Sequence, residues 1–279
     1  MLYLEIGQTS TEPISKFFSI LVANEGTFSS ISLWNVHAIE NSGVSNRFAK
    51  HIGPEGVGIV GAIDDYILCL QQIEVDYELD KTEIAPRFQL PPDVGHREAF
   101  DYAVKYGIKH SIELRDALAQ VGSVLQKDVH VLDIGCGAAM TENVVKAAGI
   151  NVRSYSGIDH APAQVWLARA VNPGRNFTTD LSVIPMMREP ALVVMNHICA
   201  QENVDDSDMK NWAHDLHRII PNGFDLLSIE PQMNIPKQDR LISFIGDEGH
   251  QSKVLMSVRT PGQFKYEKQT KVIRVSEFR

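Results

Sequence analysis

The sequence predicts an α/β fold: a twisted, mostly parallel sheet with helices on both faces and an antiparallel C-terminal edge, preceded by a smaller α+β region. Three observations predict it. Beyond residue 125 apolar runs alternate with amphipathic stretches of roughly 10–15 residues, the pattern of strand–helix crossovers. The run at 191–195, ALVVM, has no polar face, as a strand covered on both sides requires. The last two strand-like segments, 253–258 and 271–275, flank Pro261-Gly262 as a hairpin at one sheet edge would.

The first part of the chain reads as mixed. Ile14, Phe17, Phe18 and Leu21 share one helix face, with Gly26 as a stop, and the glycines of HIGPEGVGIVG (51–61) mark turns. Ile73, Val75, Tyr77 and Leu79 alternate with Glu74, Asp76, Glu78 and Asp80, which predicts a half-buried strand. Residues 89–95 read as a loop or linker. A helical stretch follows over 96–121, with Phe100, Val104, Ile108 and Leu118 on one side and Gly107 as a weak point. The division expected is a region of residues 1–95 and a main domain of 96–279.

The main domain continues with a strand over 129–134 and a helix over 141–148 that stops at Gly149. A short strand is expected at 155–159, then a helix at 161–171 with Pro162 in its first turn. The strand at 191–195 leads to a helix over 207–220, with Ser207 as N-cap. Met209, Trp212, Ala213, Leu216, Ile219 and Ile220 form its apolar stripe. Pro221-Asn-Gly223 ends that helix, and 224–229 is the next strand.

Composition narrows the class. The 279 residues are 44% hydrophobic and 22% charged, which suits a globular protein. A net charge of −9 weighs against broad binding to polyanions. Three cysteines without a CxxC pair argue against a disulfide framework and a structural zinc site, and suit a reducing compartment. The start, MLYLEIGQTSTEP, lacks the basic and apolar segments of a secretion signal, and no apolar run reaches the ~20 residues of a membrane span. A cytoplasmic location is expected.

The motif that carries chemistry is Asp133-Ile-Gly-Cys-Gly137, between a strand and a helix. A turn there sits at the carboxyl edge of a parallel sheet, where such folds bind ligands. Glycine permits positive φ and leaves room for a ligand. Met140 stands where a dinucleotide fingerprint needs a third glycine, and Asp133 precedes the first one. A pyrophosphate gains nothing from that acid, whereas an ammonium does. The next strand ends in Gly157-Ile-Asp159, which places a carboxylate for ribose hydroxyls. Asp180 and Leu181 follow a further short strand-like piece.

Together these features resemble the seven-stranded, Rossmann-like (class I) S-adenosylmethionine-dependent methyltransferases, over roughly residues 97 to 279. The resemblance implies that Asp133, Gly135, Cys136 and Gly137 hold the methionine part of the cofactor. It implies that Asp159, with His160 beside it, binds the ribose, and that Asp180 and Leu181 meet the adenine. Asn196-His197 match the position facing the reacting methyl, and Pro221-Asn-Gly223 resembles a Pro-Gly-Gly turn. Residues 1–95 match no named module and would supply substrate recognition or oligomerisation. Asp133, Asp159, Asp180 and Glu230 would give the pocket edge a sign suited to a cationic cofactor.

His197 is the candidate general base, against the reading of a histidine that only lines the pocket. Gln201, Glu202, Asp205, Asp206 and Asp208 either position a polar substrate or form a solvated loop and first helical turn. His214 and His217, without a third ligand at matching spacing, read as a surface pair, and no metal is expected. Cys136 reads as a small buried side chain rather than a nucleophile. Trp34, Tyr77, Tyr102 and Tyr106 offer an aromatic pocket or, more simply, core.

The function expected is methyl transfer to a small-molecule hydroxyl, amine or carbon, with no membrane partner and a homodimer left open. An RNA acceptor would need a basic patch, for which Lys105, Lys109, Arg115, Lys146 and Arg153 are the candidates. Another alternative is a non-catalytic cofactor-binding module. A nicotinamide oxidoreductase is disfavoured by Met140.

Overall fold

Five parallel strands and two antiparallel ones build the sheet. They are β1 (Asp128–Ile134), β2 (Asn151–Ile158), β3 (Asn176–Thr178), β4 (Ala191–Asn196), β5 (Gly223–Pro231), β6 (His250–Thr260) and β7 (Lys268–Glu277). Their order is β3-β2-β1-β4-β5-β7-β6. β1 to β5 pair in parallel, while β7 runs antiparallel between β5 and β6. The computed structural model describes residues 69–79 except 71, 75 and 78, then 90–199, 204–247, 250–260 and 268–277. The expected N-terminal helix and the turns at 51–61 lie outside these residues.

Helices α1 (His96–Tyr102) and α2 (Ile108–Val121) precede the sheet, joined by a π-helical turn over Ala103–Gly107. Gly107, the expected weak point, therefore ends a π segment rather than a stop. α3 (Thr141–Ala147) and α4 (Pro162–Val171) cross between the first three strands, and α5 (Asp206–Ile219) lies between β4 and β5. α6 (Ile235–Asp247), which was not anticipated, follows β5 and buries Gln238, Leu241 and Ile245. Its spacing of three and four residues is helical, but Pro236 and Gly246 interrupt the pattern in the sequence.

Strand alternation sorts the core into two layers. Val129 and Val131 of β1 and Leu192 and Val194 of β4 face a cluster that holds Leu114, Val144, Val145 and Leu167 of α2, α3 and α4. Leu132, Ile134, Val193 and Met195 face the opposite cluster, with Met209, Ala213 and Leu216 of α5 and Leu241 of α6. Asp133 belongs by parity to the first face, at the strand's carboxyl end. At the other edge the buried Asp225 of β5 accepts from Arg274 of β7 at 2.7 Å, which locks the antiparallel register.

Three expectations need correction. Gln72, Ile73, Glu74 and Asp76 are helical, not a strand, and Tyr77 closes the turn: its N–H donates to the Ile73 carbonyl at 3.1 Å. Leu70 and Ile73, three apart, join the first core cluster, while Glu74 pairs outward with Arg97 at 2.7 Å. The alternating acids satisfied both periods, and burial selected the helical one. Second, Asp205, not Ser207, caps α5. Its carboxylate accepts from the N–H groups of Ser207 and Asp208, and the Asp208 side chain accepts from the Asp205 N–H, completing a capping box. Third, His217 is buried and its Nε2 meets the Ile245 carbonyl of α6 at 2.8 Å, while His214 is exposed. The histidine pair is therefore split between core and surface.

The cap assignment yields a direct comparison. Asp205→Ala is expected to lower stability by about 1 kcal/mol, whereas Ser207→Ala stays within about 0.5 kcal/mol of the parent. Urea denaturation of the two variants checks this.

Candidate active site

After β1 the chain winds outward to β2 and β3, then returns to β4 on the other side of β1. Loops leaving β1 and β4 thus diverge, and a crevice opens at their carboxyl ends. A pocket of about 790 Å³, its open mouth included, occupies it. Asp133, Gly135, Cys136, Gly137, Asp159, His160, Asn196 and His197 all line it. So do Gln164 of α4, Tyr102, His110 and Ser111 from the helices before β1, and Leu90 from the preceding loop.

The glycine loop is tied to β2. The N–H groups of Gly135 and Cys136 both donate to the Ile158 carbonyl, at 2.7 and 2.9 Å. Gly135 adopts φ 73°, and a Cβ there would lie 1.9 Å from Ile198 Cδ1. Cys136 is enclosed: a Cβ on Gly157 would come within 2.8 Å of its sulfur and of the Phe177 ring. Burial pushes the Cys136 thiol well above its ordinary pKa, and neighbouring Asp159 and Asp133 add to this, so it stays a protonated packing group.

Asp133 and Asp159 are buried carboxylates with different partners. Asp133 accepts from Tyr155 Oη at 2.5 Å. Burial pushes its carboxyl up to about 6, against the hydrogen bonds from Tyr155 and Thr141. Asp159 accepts from the Gly137 and Ala161 N–H groups, each at 3.0 Å. Its carboxyl is also raised, because burial outweighs those amides and nearby His160.

Two amide side chains, Gln164 and Asn196, line the same pocket. Gln164 Nε2 donates to the Ala99 carbonyl and Asn196 Nδ2 to the His110 carbonyl, both at 3.0 Å, which fixes each amide's orientation. Gln164 Oε1 and Asn196 Oδ1 are then left buried without a hydrogen-bond partner. No lysine or arginine is among the described lining residues. The pocket presents acceptors and negative charge.

His197 follows β4 with φ 62°, left-handed for a side-chain-bearing residue, and its N–H donates to the Ile229 carbonyl at 2.9 Å. Its ring stacks on His110 at 4.6 Å between centroids. Behind the pocket wall, its Nε2 lies 2.8 Å from Glu113 Oε2 and 2.7 Å from Lys268 Nζ. Lys268 also contacts Glu113 Oε1. Burial alone would raise the Glu113 carboxyl, but the hydrogen bond with His197 and the charges of His197, His110 and Lys268 hold it well below the usual range.

Other expected residues lie elsewhere. Asp180 is exposed and its carboxylate accepts from the Ser182 N–H at 2.8 Å. Leu181 is buried in the second core cluster, and neither lines the pocket. Glu230, near the carboxyl end of β5, is buried and accepts from the Cys199 N–H at 2.9 Å. Gln201 and Glu202 lie outside the described residues, as does Trp34. Tyr77 is 54% exposed and meets Trp166 edge-on.

Gln164, Ser111, Glu113 and Lys268 escaped the sequence reading. His110 and Glu113 lie three apart on one helix face, a signal that was present. Lys268 had none, because only the antiparallel register, Lys268 opposite Pro231, carries it to this wall.

No family model matches the chain, and no curated protein matches it. Among solved structures, N-methyltransferase NodS from Bradyrhizobium japonicum in complex with S-adenosyl-l-homocysteine has a TM-score of 0.44 at 15% identity, over 75% of this chain and 99% of that one. A TehB-like SAM-dependent methyltransferase from Corynebacterium glutamicum has a TM-score of 0.46 at 13% identity, over 64% and 98%. Magnesium protoporphyrin IX methyltransferase from Synechocystis, with bound SAM, has 0.39 at 15%, over 62% and 83%. With TM-scores below 0.5, these likenesses carry no functional argument; the pocket's own chemistry does.

The raised Asp133 carboxyl has a measurable consequence. Its folded-state pKa of about 6 exceeds the ordinary 3.8, so its contribution to stability is fully present below pH 3.8 and is lost as pH rises through 6. At pH 8 the buried charge costs on the order of 3 kcal/mol. Asp133→Asn is expected to raise the melting temperature of the ligand-free protein at pH 8 and to give no such gain near pH 4, read by thermal melts at both values.

Proposed function

We propose that this chain is an enzyme of the seven-stranded Rossmann-like class that transfers a methyl group from S-adenosylmethionine to a small-molecule acceptor. The observation that carries the reading is the sign of the pocket. Two buried carboxylates and two amide side chains with buried, unpartnered oxygens line a space without lysine or arginine among its described lining residues. A ligand that fits must bring hydrogen-bond donors and positive charge, and phosphate groups would be repelled. S-adenosylmethionine has an ammonium, ribose hydroxyls and an adenine amino group, and supplies an electrophilic methyl on a sulfonium.

In this reading Asp133 and the loop from Gly135 to Gly137 hold the methionine part, with Cys136 filling the space beneath. Asp159, with His160 beside it, accepts from the ribose hydroxyls while still bonded to two backbone amides. Gln164 Oε1 and Asn196 Oδ1 take further donors. Asp180 and Leu181 stay outside the set because neither lines the pocket. His197, on the loop after β4, is the residue that acts on the acceptor. Methyl transfer is an in-line displacement, so alignment of the acceptor supplies most of the rate.

The net charge of −9 favours a small acceptor over RNA. Cys69, Cys136 and Cys199 are free thiols, consistent with a reducing, cytoplasmic setting. Among the described residues no helix is long and apolar enough to cross a membrane. A cofactor-binding module without turnover is the second reading, supported by the depth at which the Glu113–His197 contact is buried.

Two expectations test the assignments. Asp159→Ala weakens S-adenosylmethionine binding by about 1–3 kcal/mol in calorimetry, since ribose hydroxyls lose a buried partner. Unchanged affinity removes Asp159 from the site. His197→Ala lowers formation of S-adenosylhomocysteine across an acceptor panel by roughly 100-fold, while cofactor affinity changes little. Binding without turnover in the parent protein would favour the module.

A further inference from the structure

We propose that His110, Glu113 and His197 form a binding site for one divalent transition-metal ion in the pocket wall that His110 and His197 line, with the Lys268 ammonium as a built-in competitor. Each of the three offers a ligand atom, and these atoms all lie within 4.8 Å of one another. Two imidazoles and one carboxylate are the donor set of facial-triad iron sites and suit cobalt and zinc equally. His110 and Glu113 project from the same face of α2, three residues apart. His197 reaches them from the loop after β4 in a left-handed conformation that is strained for a residue with a side chain. The Ile229 carbonyl and the stacked His110 ring hold it there.

The donor and acceptor roles around His197 Nε2 give the stronger reason. That nitrogen lies 2.8 Å from Glu113 Oε2 and 2.7 Å from Lys268 Nζ. A ring nitrogen either carries a proton or offers a lone pair. If it donates to Glu113, the ammonium meets it donor against donor. If it accepts from Lys268, it meets the carboxylate lone pair against lone pair. Lone pairs converging on one cation describe a coordination shell, and the ammonium supplies that cation with hydrogens that point only in fixed directions. A metal ion satisfies imidazole and carboxylate together.

Lys268 is separable from the ligands. It is the first residue of β7, on a four-carbon stem, whereas the ligands belong to α2 and the loop after β4. Its removal leaves the three donors on their own supports. Metal binding does not rest on the methyl-transfer reading. Joined to that reading, an ion here would seat an acceptor through an oxygen, because His110 and His197 line the pocket that holds the methyl donor.

The experiment uses the full chain stripped with chelator and titrated with Co²⁺ by visible absorption and with Zn²⁺ by calorimetry. Elemental analysis gives the stoichiometry, and S-adenosylmethionine affinity is measured on the same samples. One ion per chain is expected, bound roughly tenfold or more tightly by Lys268→Met than by the parent. Glu113→Gln and His110→Ala are each expected to weaken binding roughly tenfold or more, in the parent and in the Lys268→Met background. Circular dichroism identifies any variant that fails to fold, and the other ligand variant then decides. Absence of stoichiometric binding in both the parent and Lys268→Met overturns the proposal. So does binding that neither ligand variant weakens. Metal binding without cofactor binding would refute the methyl-transfer reading alone, and the reverse outcome would refute the metal site alone.

Discussion

The Asp159 carboxylate accepts from the Gly137 N–H on one oxygen and from the Ala161 N–H on the other, and so joins the loop after β1 to the start of α4. Everything at the crevice depends on that bridge. It works because β2 ends level with β1, Gly157 opposite Asp133 and Ile158 opposite Ile134. It also needs Gly157 to lack a side chain, so that the Cys136 sulfur and the Phe177 ring can close over β2. The loop amides then turn to the Ile158 carbonyl, and the glycines keep the space above them open.

The bridge concentrates negative charge where water is scarce. Asp133 and Asp159 are both raised by burial, and Asp159 raises Asp133 further. Protein-side amides and hydroxyls compensate only in part. A pocket that keeps two carboxylates ionisable beside two unpartnered amide oxygens gives up stability in the ligand-free state. A cationic, donor-rich ligand recovers it. The opposite wall carries a different balance, with Glu113, Lys268 and two imidazoles in contact around one point.

Much of this was legible before any coordinates. The strands from β1 to β5, their crossover helices and the C-terminal hairpin follow from local apolar runs and glycine stops, and Asp133, Gly135, Gly137, Asp159, Asn196 and His197 meet at one pocket. Local pattern failed where two periods coincided, as around Ile73 and Glu74, where burial of Leu70 and Ile73 goes with a helix. It failed at His217, whose burial depends on α6, an element it did not foresee. Long-range partners were out of reach for a different reason. Glu113 and His197 are 84 positions apart and Lys268 another 71 beyond, and only sheet order and register bring them together.

The sign of the pocket is decisive: acceptors and carboxylates favour a donor-rich cation over a phosphate-bearing nucleotide. Competitive calorimetry on the full chain measures that preference directly, with S-adenosylmethionine, S-adenosylhomocysteine and NADH titrated in turn. One site per chain is expected for S-adenosylmethionine, displaced by S-adenosylhomocysteine and unaffected by NADH. Binding of NADH with no heat from S-adenosylmethionine would contradict it.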